Sequence, residues 1–243
     1  MNDFLQPTGR RRTWLIAAVL VAVVVIVLVV GLLVEGAGDP DGDALPPPST
    51  SSASSGPSTS TPSAEPTEGE LLRLVAGRRR VSGVAVGYPH SVAGAVSAAV
   101  EIWTQVGSTL DPDRAAAIGR LVADESWTNA PDEFAAGPKN SRRRLGLSAS
   151  GDVGPEASIV VEAAGYQLRN KSSERVTVLL LGYLTTNSPS KGSQTQVGVF
   201  PATLHWSTGD WKIEKGDGTD YGDLAQQPGT AEAASAGWLE FVR

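Results

Sequence analysis

Residues 174–186, ERVTVLLLGYLTT, decide the fold that this sequence predicts. The run is rich in β-branched and apolar residues and is bounded by polar segments, which is typical of a strand. From Val176 to Leu181 it is apolar on both faces, whereas a strand with one solvated face would alternate apolar and polar residues. We therefore predict a central strand, with helices covering one side of its sheet.

Three further segments predict the strands that accompany it, and they span residues 157–169, 194–206 and 211–215. Short turns rich in Asn, Ser and Gly separate these segments from one another. Connections of that length join antiparallel neighbours, so the second half of the chain predicts an antiparallel meander.

The segment before these strands predicts helices. Ser91 is placed to cap a helix that continues through Val106, and Asp111 with Pro112 opens a second helix. A short third helix is expected after Pro131. Three consecutive basic residues then predict an exposed loop: Arg142, Arg143 and Arg144. Helices followed by a curved antiparallel meander make an α+β fold.

Two short motifs stand at the ends of this pattern. Residues 87–91 (GYPHS) lead into a helix that contains Gly94, and residues 206–212 (WSTGDWK) form the last predicted hairpin. Pro89 disfavours helix at Tyr88 and so defines where the helix starts, while Trp211 would place a large apolar area on the helices. Both motifs therefore have a structural explanation as well as a functional one.

The order of an anchor, a linker, GYPHS and WSTGDWK resembles that of membrane proteins of actinobacterial conjugative elements. The resemblance covers most of residues 80–215, and it implies an NTF2-like exported domain. The same fold is shared by the single-pass inner-membrane scaffold subunits of type IV secretion systems. Those subunits bind other subunits and catalyse nothing, so the resemblance implies an assembly role.

The anchor itself is predicted at residues 14–34, about 20 consecutive residues without a charge. Arg10, Arg11 and Arg12 precede it and acidic residues follow it, which places the N-terminus in the cytoplasm and the rest of the chain outside. A cleaved signal peptide is the competing interpretation, but its apolar region would span only about 7 to 15 residues. We expect a retained single-pass anchor in the cell membrane.

The predicted domain organisation follows from that anchor. Residues 1–13 are a cytoplasmic tail that is too short to hold a core. Residues 35–70 are rich in Pro, Ser and Thr, and their composition predicts a disordered linker. Residues 71–243 are then the extracytoplasmic domain.

Few residues in the chain suggest catalysis. There is no cysteine, which excludes disulfides, thiolate metal sites and a cysteine nucleophile. The two histidines, His90 and His205, are not spaced as a metal-binding pair, so we expect no metal, no cofactor and no catalytic residue. NTF2-like folds can hold a pocket of the isomerase type, and Tyr166, Tyr183 and Glu162 lie on strands where they could line one.

The charge of the chain bears on its partners. A formal net charge of −6 argues against sequence-specific binding of nucleic acid. Two basic triplets contrast with this acidic background and are candidate contacts for a partner: Arg78, Arg79 and Arg80, and Arg142, Arg143 and Arg144. The partners that we expect are the membrane, other membrane or secretion-machine subunits, and further copies of the chain.

These observations predict a non-enzymatic membrane protein whose exported domain assembles within a conjugative or secretion machine. Two alternatives stay open. One is an extracytoplasmic module that binds a small ligand or a cell-wall component, and the other is an NTF2-like enzyme of the isomerase type.

Overall fold

The computed structural model describes residues 71–243. Their helices are α1 (Val92–Gly107), α2 (Pro112–Val122), α3 (Ala130–Arg144) and α4 (Ala231–Ser235), and a short 3₁₀ helix spans Gly222–Leu224. The strands are β1 (Leu72–Arg73), β2 (Arg79–Val81), β3 (Val84–Val86), β4 (Ser158–Arg169), β5 (Arg175–Ser188), β6 (Gly192–Ser207), β7 (Asp210–Ile213) and β8 (Leu239–Val242).

The main sheet has six strands in the order β1-β8-β4-β5-β6-β7. Every pairing is antiparallel except that of β1 with β8. The four predicted strands are confirmed, and β5 is central as predicted. A register shift between Ala163 and Gly165 interrupts the β4–β5 ladder, and the sheet curls into half a barrel around the helices.

Both faces of β5 are buried, but different elements cover them. Val178 and Leu180 point to the helices and belong to the main core with the side chains of α1. Leu179 and Leu181 point the other way and are covered by Trp238 and Ala233 of the C-terminal segment. The apolar run that predicts a central strand is therefore explained by helices on one side and by the C-terminal segment on the other.

The first two helices begin where the sequence predicts. Ser91 Oγ accepts a hydrogen bond from the Gly94 N–H at 3.1 Å and caps α1. Asp111 Oδ1 accepts from the Asp113 N–H at 2.9 Å, with Pro112 in the first turn of α2. A Cβ at Gly94 would collide with the Pro89 carbonyl, so glycine is required where α1 starts.

The third helix differs from the prediction. α3 is 15 residues long and continues through Pro138, and Arg142, Arg143 and Arg144 form its last turn. The prediction of an exposed loop at these arginines is therefore wrong. The cause is tertiary packing, because Phe134 and Pro138 are buried in the domain, and this burial outweighs the tendency of proline to break a helix.

The α+β architecture, with helices packed on a curved antiparallel sheet, is confirmed for residues 71–243. The predicted tail at residues 1–13, anchor at 14–34 and linker at 35–70 lie outside the described residues. Between Leu71 and Arg243, no helix has the length and apolar character needed to span a bilayer.

Candidate functional site

The two sequence motifs meet in the fold. The Tyr88 backbone N–H donates to Asp210 Oδ1 at 3.0 Å, and Trp211 Nε1 donates to the Pro89 carbonyl at 3.0 Å. Asp210 Oδ1 also accepts from the Trp211 N–H at 3.0 Å. The start of α1 and the β6–β7 turn are thus joined by two hydrogen bonds between residues that are far apart in sequence.

Aromatic rings complete this joint. His90 stacks on Trp206, with ring centroids 4.4 Å apart and an angle of 8° between the planes. Trp206 meets Trp211 edge-on at 5.4 Å, and Trp211 is buried as predicted. His90 Nε2 also lies 2.7 Å from the Ser173 carbonyl oxygen. The contacts of His90 are therefore those of a packing residue.

The first basic triplet lies beside the joint, at the start of the β2–β3 hairpin. Arg78 donates from Nε to the Gly87 carbonyl at 3.0 Å and from Nη2 to the Gly209 carbonyl at 2.9 Å. Arg80 donates to the Gly83 carbonyl at 2.8 Å. Arg79 is exposed, and its side chain has no hydrogen bond or ion pair with any residue of the described chain. Arg79 is thus the member of the triplet whose charge is not used inside the domain.

An open cavity of about 370 Å³ lies between this hairpin and the β6–β7 turn. Three cations face one carboxylate there, because Arg78, Arg79 and Lys212 line it together with Asp210. Lys212 Nζ donates to the Leu121 carbonyl at 2.9 Å and lies 3.8 Å from Asp210 Oδ2. The cavity therefore carries excess positive charge in a chain that is acidic overall.

The backbone of the β6–β7 turn forms part of the cavity wall. Thr208 and Gly209 have φ of 52° and 79°, in the left-handed region. Thr208 is not a glycine, and such a residue in this region is uncommon. The turn thereby presents the Gly209 carbonyl to Arg78, so the conformation of the turn holds one of the cations of the cavity.

The second basic triplet is divided by burial. Arg142 is only 4% exposed and donates to three carbonyl oxygens, those of Leu110 at 2.6 Å, Gly151 at 2.9 Å and Ser148 at 3.3 Å. It ties the end of α3 to the α1–α2 connection, and it is not a surface residue that could contact a partner. Arg143 and Arg144 are exposed.

A polar network that the sequence did not predict lies on the outer face of β6 and β7. His205 Nδ1 is 2.9 Å from Asp124 Oδ2, and Asp124 Oδ1 accepts from Ser126 Oγ at 2.7 Å and from its N–H at 3.0 Å. Arg175 holds Glu214 through two bonds of 2.7 Å. His205 lies opposite Arg175 in the sheet, so the strand register brings the two pairs together.

The carboxylate of Asp124 is stabilised in its charged form. Burial alone would raise its pKa, but the hydrogen bonds from Ser126, together with those from His205 and the charge of that ring, outweigh burial and lower the pKa to about 2. Ligand atoms of Asp124, His205 and Glu214 lie within 4.8 Å of one another, a spacing that could admit a metal ion. Arg175 already donates to both carboxylate oxygens of Glu214, and Ser126 already donates to Asp124 Oδ1. The arrangement therefore fits an internal ion network better than a metal site.

The comparison with protein families bears on the whole of this region. Residues 77–239, about two thirds of the chain, match a family described as a domain of unknown function, DUF8175. The chain belongs to this family. The match starts one residue before Arg78 and ends at the first residue of β8, so it includes the joint, the cavity and the C-terminal segment as far as Leu239. Neither the search of curated proteins nor that of solved structures found a match.

The three residues proposed for an isomerase pocket are not brought together in the DUF8175 domain. Glu162 and Tyr183 are cross-strand partners on the outer face. There Tyr183 also lies opposite Val197, which packs against the cluster of Leu179, Leu181 and Trp238. Tyr166 lies on the helix side, buried in the main core, and its burial raises its pKa. The register shift in β4 separates these faces, and these three residues line no common pocket.

Proposed function

We propose that this protein is a non-enzymatic, single-pass membrane protein whose exported DUF8175 domain is an assembly component of a conjugative transfer or type IV secretion-like machine. The support is the resemblance of its anchor, linker and two motifs to those of conjugative-element proteins, together with the way the domain uses its polar residues. At the joint and in the network on the outer face, charged and aromatic side chains are engaged with one another rather than directed at a substrate.

We infer that the fold is NTF2-like in its finer topology. Three helices precede a meander of long strands, and they lie on the side to which the curled sheet closes. In NTF2-like scaffold subunits the same elements carry no catalysis. The fold by itself assigns no function, because one fold hosts many functions.

The observation that carries the proposal is the basic cavity lined by Arg78, Arg79 and Lys212. Arg78 and Lys212 are fixed by bonds to carbonyl oxygens, while Arg79 is exposed and unpaired among the described residues. Two fixed cations and one free guanidinium can bind a carboxylate of an acidic partner, and few side chains need to become ordered when it binds. The cavity is therefore the proposed docking point for another subunit of the machine.

The test is the reversal of the free charge. Arg79→Glu places a carboxylate in the cavity without removing the bonds that Arg78 makes, and Lys139→Glu makes the same kind of reversal at an exposed residue of α3 that does not line the cavity. The full chain is crosslinked in its own membranes, and the co-purified subunits are compared at low and high salt. We expect Arg79→Glu alone to weaken the association, and to do so most at low salt.

If both variants recover as much of the subunits as the natural protein does, the cavity does not dock them. Loss of recovery with both variants to the same extent would point to general electrostatics and would count against the proposal as well. A melting curve of each variant separates loss of binding from loss of fold.

The same cavity favours a second candidate, the binding of a small anionic ligand or an anionic cell-wall polymer. Its volume of about 370 Å³ is within the range of small-molecule sites, about 300 to 1,000 Å³. Titration calorimetry with inorganic pyrophosphate tests this reading directly. Saturable binding that Arg79→Glu abolishes and Lys139→Glu preserves would favour the ligand module over the assembly component.

A further inference from the structure

The outer edge of β6 is unpaired over residues 192–202, which is most of the length of the strand. β5 pairs with β6 from Ser188 opposite Gly192 to Arg175 opposite His205. On its other side β6 pairs with β7 only from Leu204 to Ser207. Residues 192–202 therefore have a neighbouring strand on one side alone, within residues 71–243.

The direction of the backbone groups on this edge follows from two hydrogen bonds. The Glu214 N–H donates to the Thr203 carbonyl at 2.8 Å, and the Trp206 N–H donates to the Glu174 carbonyl at 2.7 Å. The ladder with β5 has no register shift, so odd-numbered residues of β6 direct their backbone groups outward and even-numbered ones direct them to β5. Four residues have outward groups that bond to no described residue: Ser193, Thr195, Val197 and Val199.

Pro201 closes this free edge at one end. It is the next residue in the outward series, and it has no N–H to offer. Its carbonyl oxygen is already taken by Trp103 Nε1 at 3.0 Å. At the other end the chain turns at residues 189–191. The free edge is thus a defined segment from Ser193 to Val199.

This edge lacks the charges that usually protect an open edge. Natural sheets discourage pairing with another chain through short strands, edge lysines, prolines or bulges. β6 has 16 residues, its segment Ser193–Val199 has no charged side chain, and Ser193, Gln194, Thr195 and Gln196 are exposed. Of those devices only Pro201 is present, and it lies beyond the segment.

We propose that a second copy of this chain pairs with β6 along Ser193–Val199, antiparallel, about a two-fold axis at Gln196. In that register Ser193 lies opposite the partner's Val199, and Thr195 lies opposite the partner's Val197. The outward groups of the two strands then form about eight backbone hydrogen bonds. The ladder ends at Pro201 of each copy, because the proline has no N–H to donate.

A second copy fits this edge better than an unrelated peptide does. A charged side chain within Ser193–Val199 would lie near the same charge of the symmetric partner, and this segment has none. An isologous pair also occupies the segment on both chains at once, so the contact closes instead of growing into a fibre. The contact lies at the end of β6 away from the β6–β7 turn, so it is separate from the docking cavity and its failure would leave the proposed function untouched.

Cysteine crosslinking tests the axis directly, since the natural chain has no cysteine. Gln196 would face its own copy in a non-hydrogen-bonded pair with Cα atoms about 4.5 Å apart, a separation at which a disulfide can form. The full-length Gln196→Cys variant is oxidised in its membranes and run on a non-reducing gel. The matched control is Ala234→Cys, an exposed residue of α4. We expect a species of twice the 25.2 kDa chain from Gln196→Cys alone.

A second pair of variants tests the backbone pairing. In the Gln196→Cys background, Thr195→Pro removes an outward N–H and keeps the bonds with β5. Thr195→Ala removes the γ-methyl and the hydroxyl that contacts Thr185, and it keeps the outward N–H. Thr195→Pro should reduce dimer formation by about tenfold or more, and Thr195→Ala should leave it nearly unchanged. A melting curve of each variant checks its fold.

Three outcomes overturn the proposal. They are no crosslink at residue 196, equal crosslinking at residues 196 and 234, and a crosslinked product whose mass is not that of two chains. The last of these would assign the edge to a different partner.

Discussion

Asp210 is the residue on which the joint between α1 and the β6–β7 turn depends. Its Oδ1 accepts the N–H groups of Tyr88 and Trp211, both in buried surroundings. Asp210→Ala leaves two donors without partners, and each costs about 1 to 3 kcal/mol of unfolding free energy. Asp210→Asn keeps an oxygen in place and should cost less than about 1 kcal/mol. Urea unfolding of the purified variants measures the difference, and equal losses would show that the charge and not the acceptor matters.

Asp124 gives the protein a defined sensitivity to acid. Its pKa is about 2 in the folded protein against 3.8 ordinarily, so the ionised form stabilises the fold. That contribution is complete above pH 4 and is lost as the pH falls from about 4 to 2. The Asp124→Asn variant should therefore be less stable than the natural protein at pH 7, with a gap that narrows below pH 4.

Unfolding midpoints between pH 7 and pH 2 measure this gap. Asp132→Asn, at an exposed residue of α3, controls for the loss of one negative charge. A gap between Asp124→Asn and the natural protein that stays constant over this range would mean that the carboxylate is not stabilised as described.

At the scale of elements, the C-terminal segment acts as a clasp on the outer face of the sheet. Trp238 is 5% exposed, packs with Leu179 and Leu181, and donates from Nε1 to the Leu224 carbonyl at 3.0 Å. Trp238→Ala should cost about 3 to 5 kcal/mol, because it opens a cavity over β5. The neighbouring Leu239 is 53% exposed, and Leu239→Ala should change stability by no more than about 0.5 kcal/mol. Thermal unfolding of both variants decides whether the clasp is part of the core.

The elements that could be predicted from sequence are those with local signals. The apolar run of β5 indicates burial on both faces, and Ser91 and Asp111 mark helix starts through side chains that bond two or three residues away. The extent of α3 could not be predicted, because Pro138 is tolerated only through packing that the sequence does not display. The hydrogen bonds of Arg142 depend on the same tertiary contacts.

The candidate site was predictable only in part. GYPHS and WSTGDWK are visible as motifs, and Arg78 and Arg79 stand out as basic residues, but nothing in their spacing indicates that all of them meet at one cavity. Asp124 and His205 are 81 residues apart, and only the sheet register places Arg175 and Glu214 beside them. No periodicity or motif could have found that network.

At the scale of the whole molecule, the predicted orientation places residues 71–243 outside the cell. The reason is the cluster of Arg10, Arg11 and Arg12 before the uncharged run at 14–34 and the acidic residues after it. Protease added to intact, wall-stripped cells should therefore degrade a C-terminal tag and leave an N-terminal tag intact. Cells opened with detergent provide the control in which both tags are digested. A protected C-terminal tag on intact cells would reverse the orientation.

The pairing of the first and last strands has a mechanical consequence. Residues 1–70 join the domain at β1, which is two residues long and runs parallel to β8, with Leu72 opposite Phe241. Tension on the N-terminal segment therefore enters the sheet through β1, and a pull along that strand loads its hydrogen bonds with β8 in shear. β4, β5 and β6 are joined by far longer ladders. Under load β1 should separate from β8 first, while the central strands and the helices that they support stay folded.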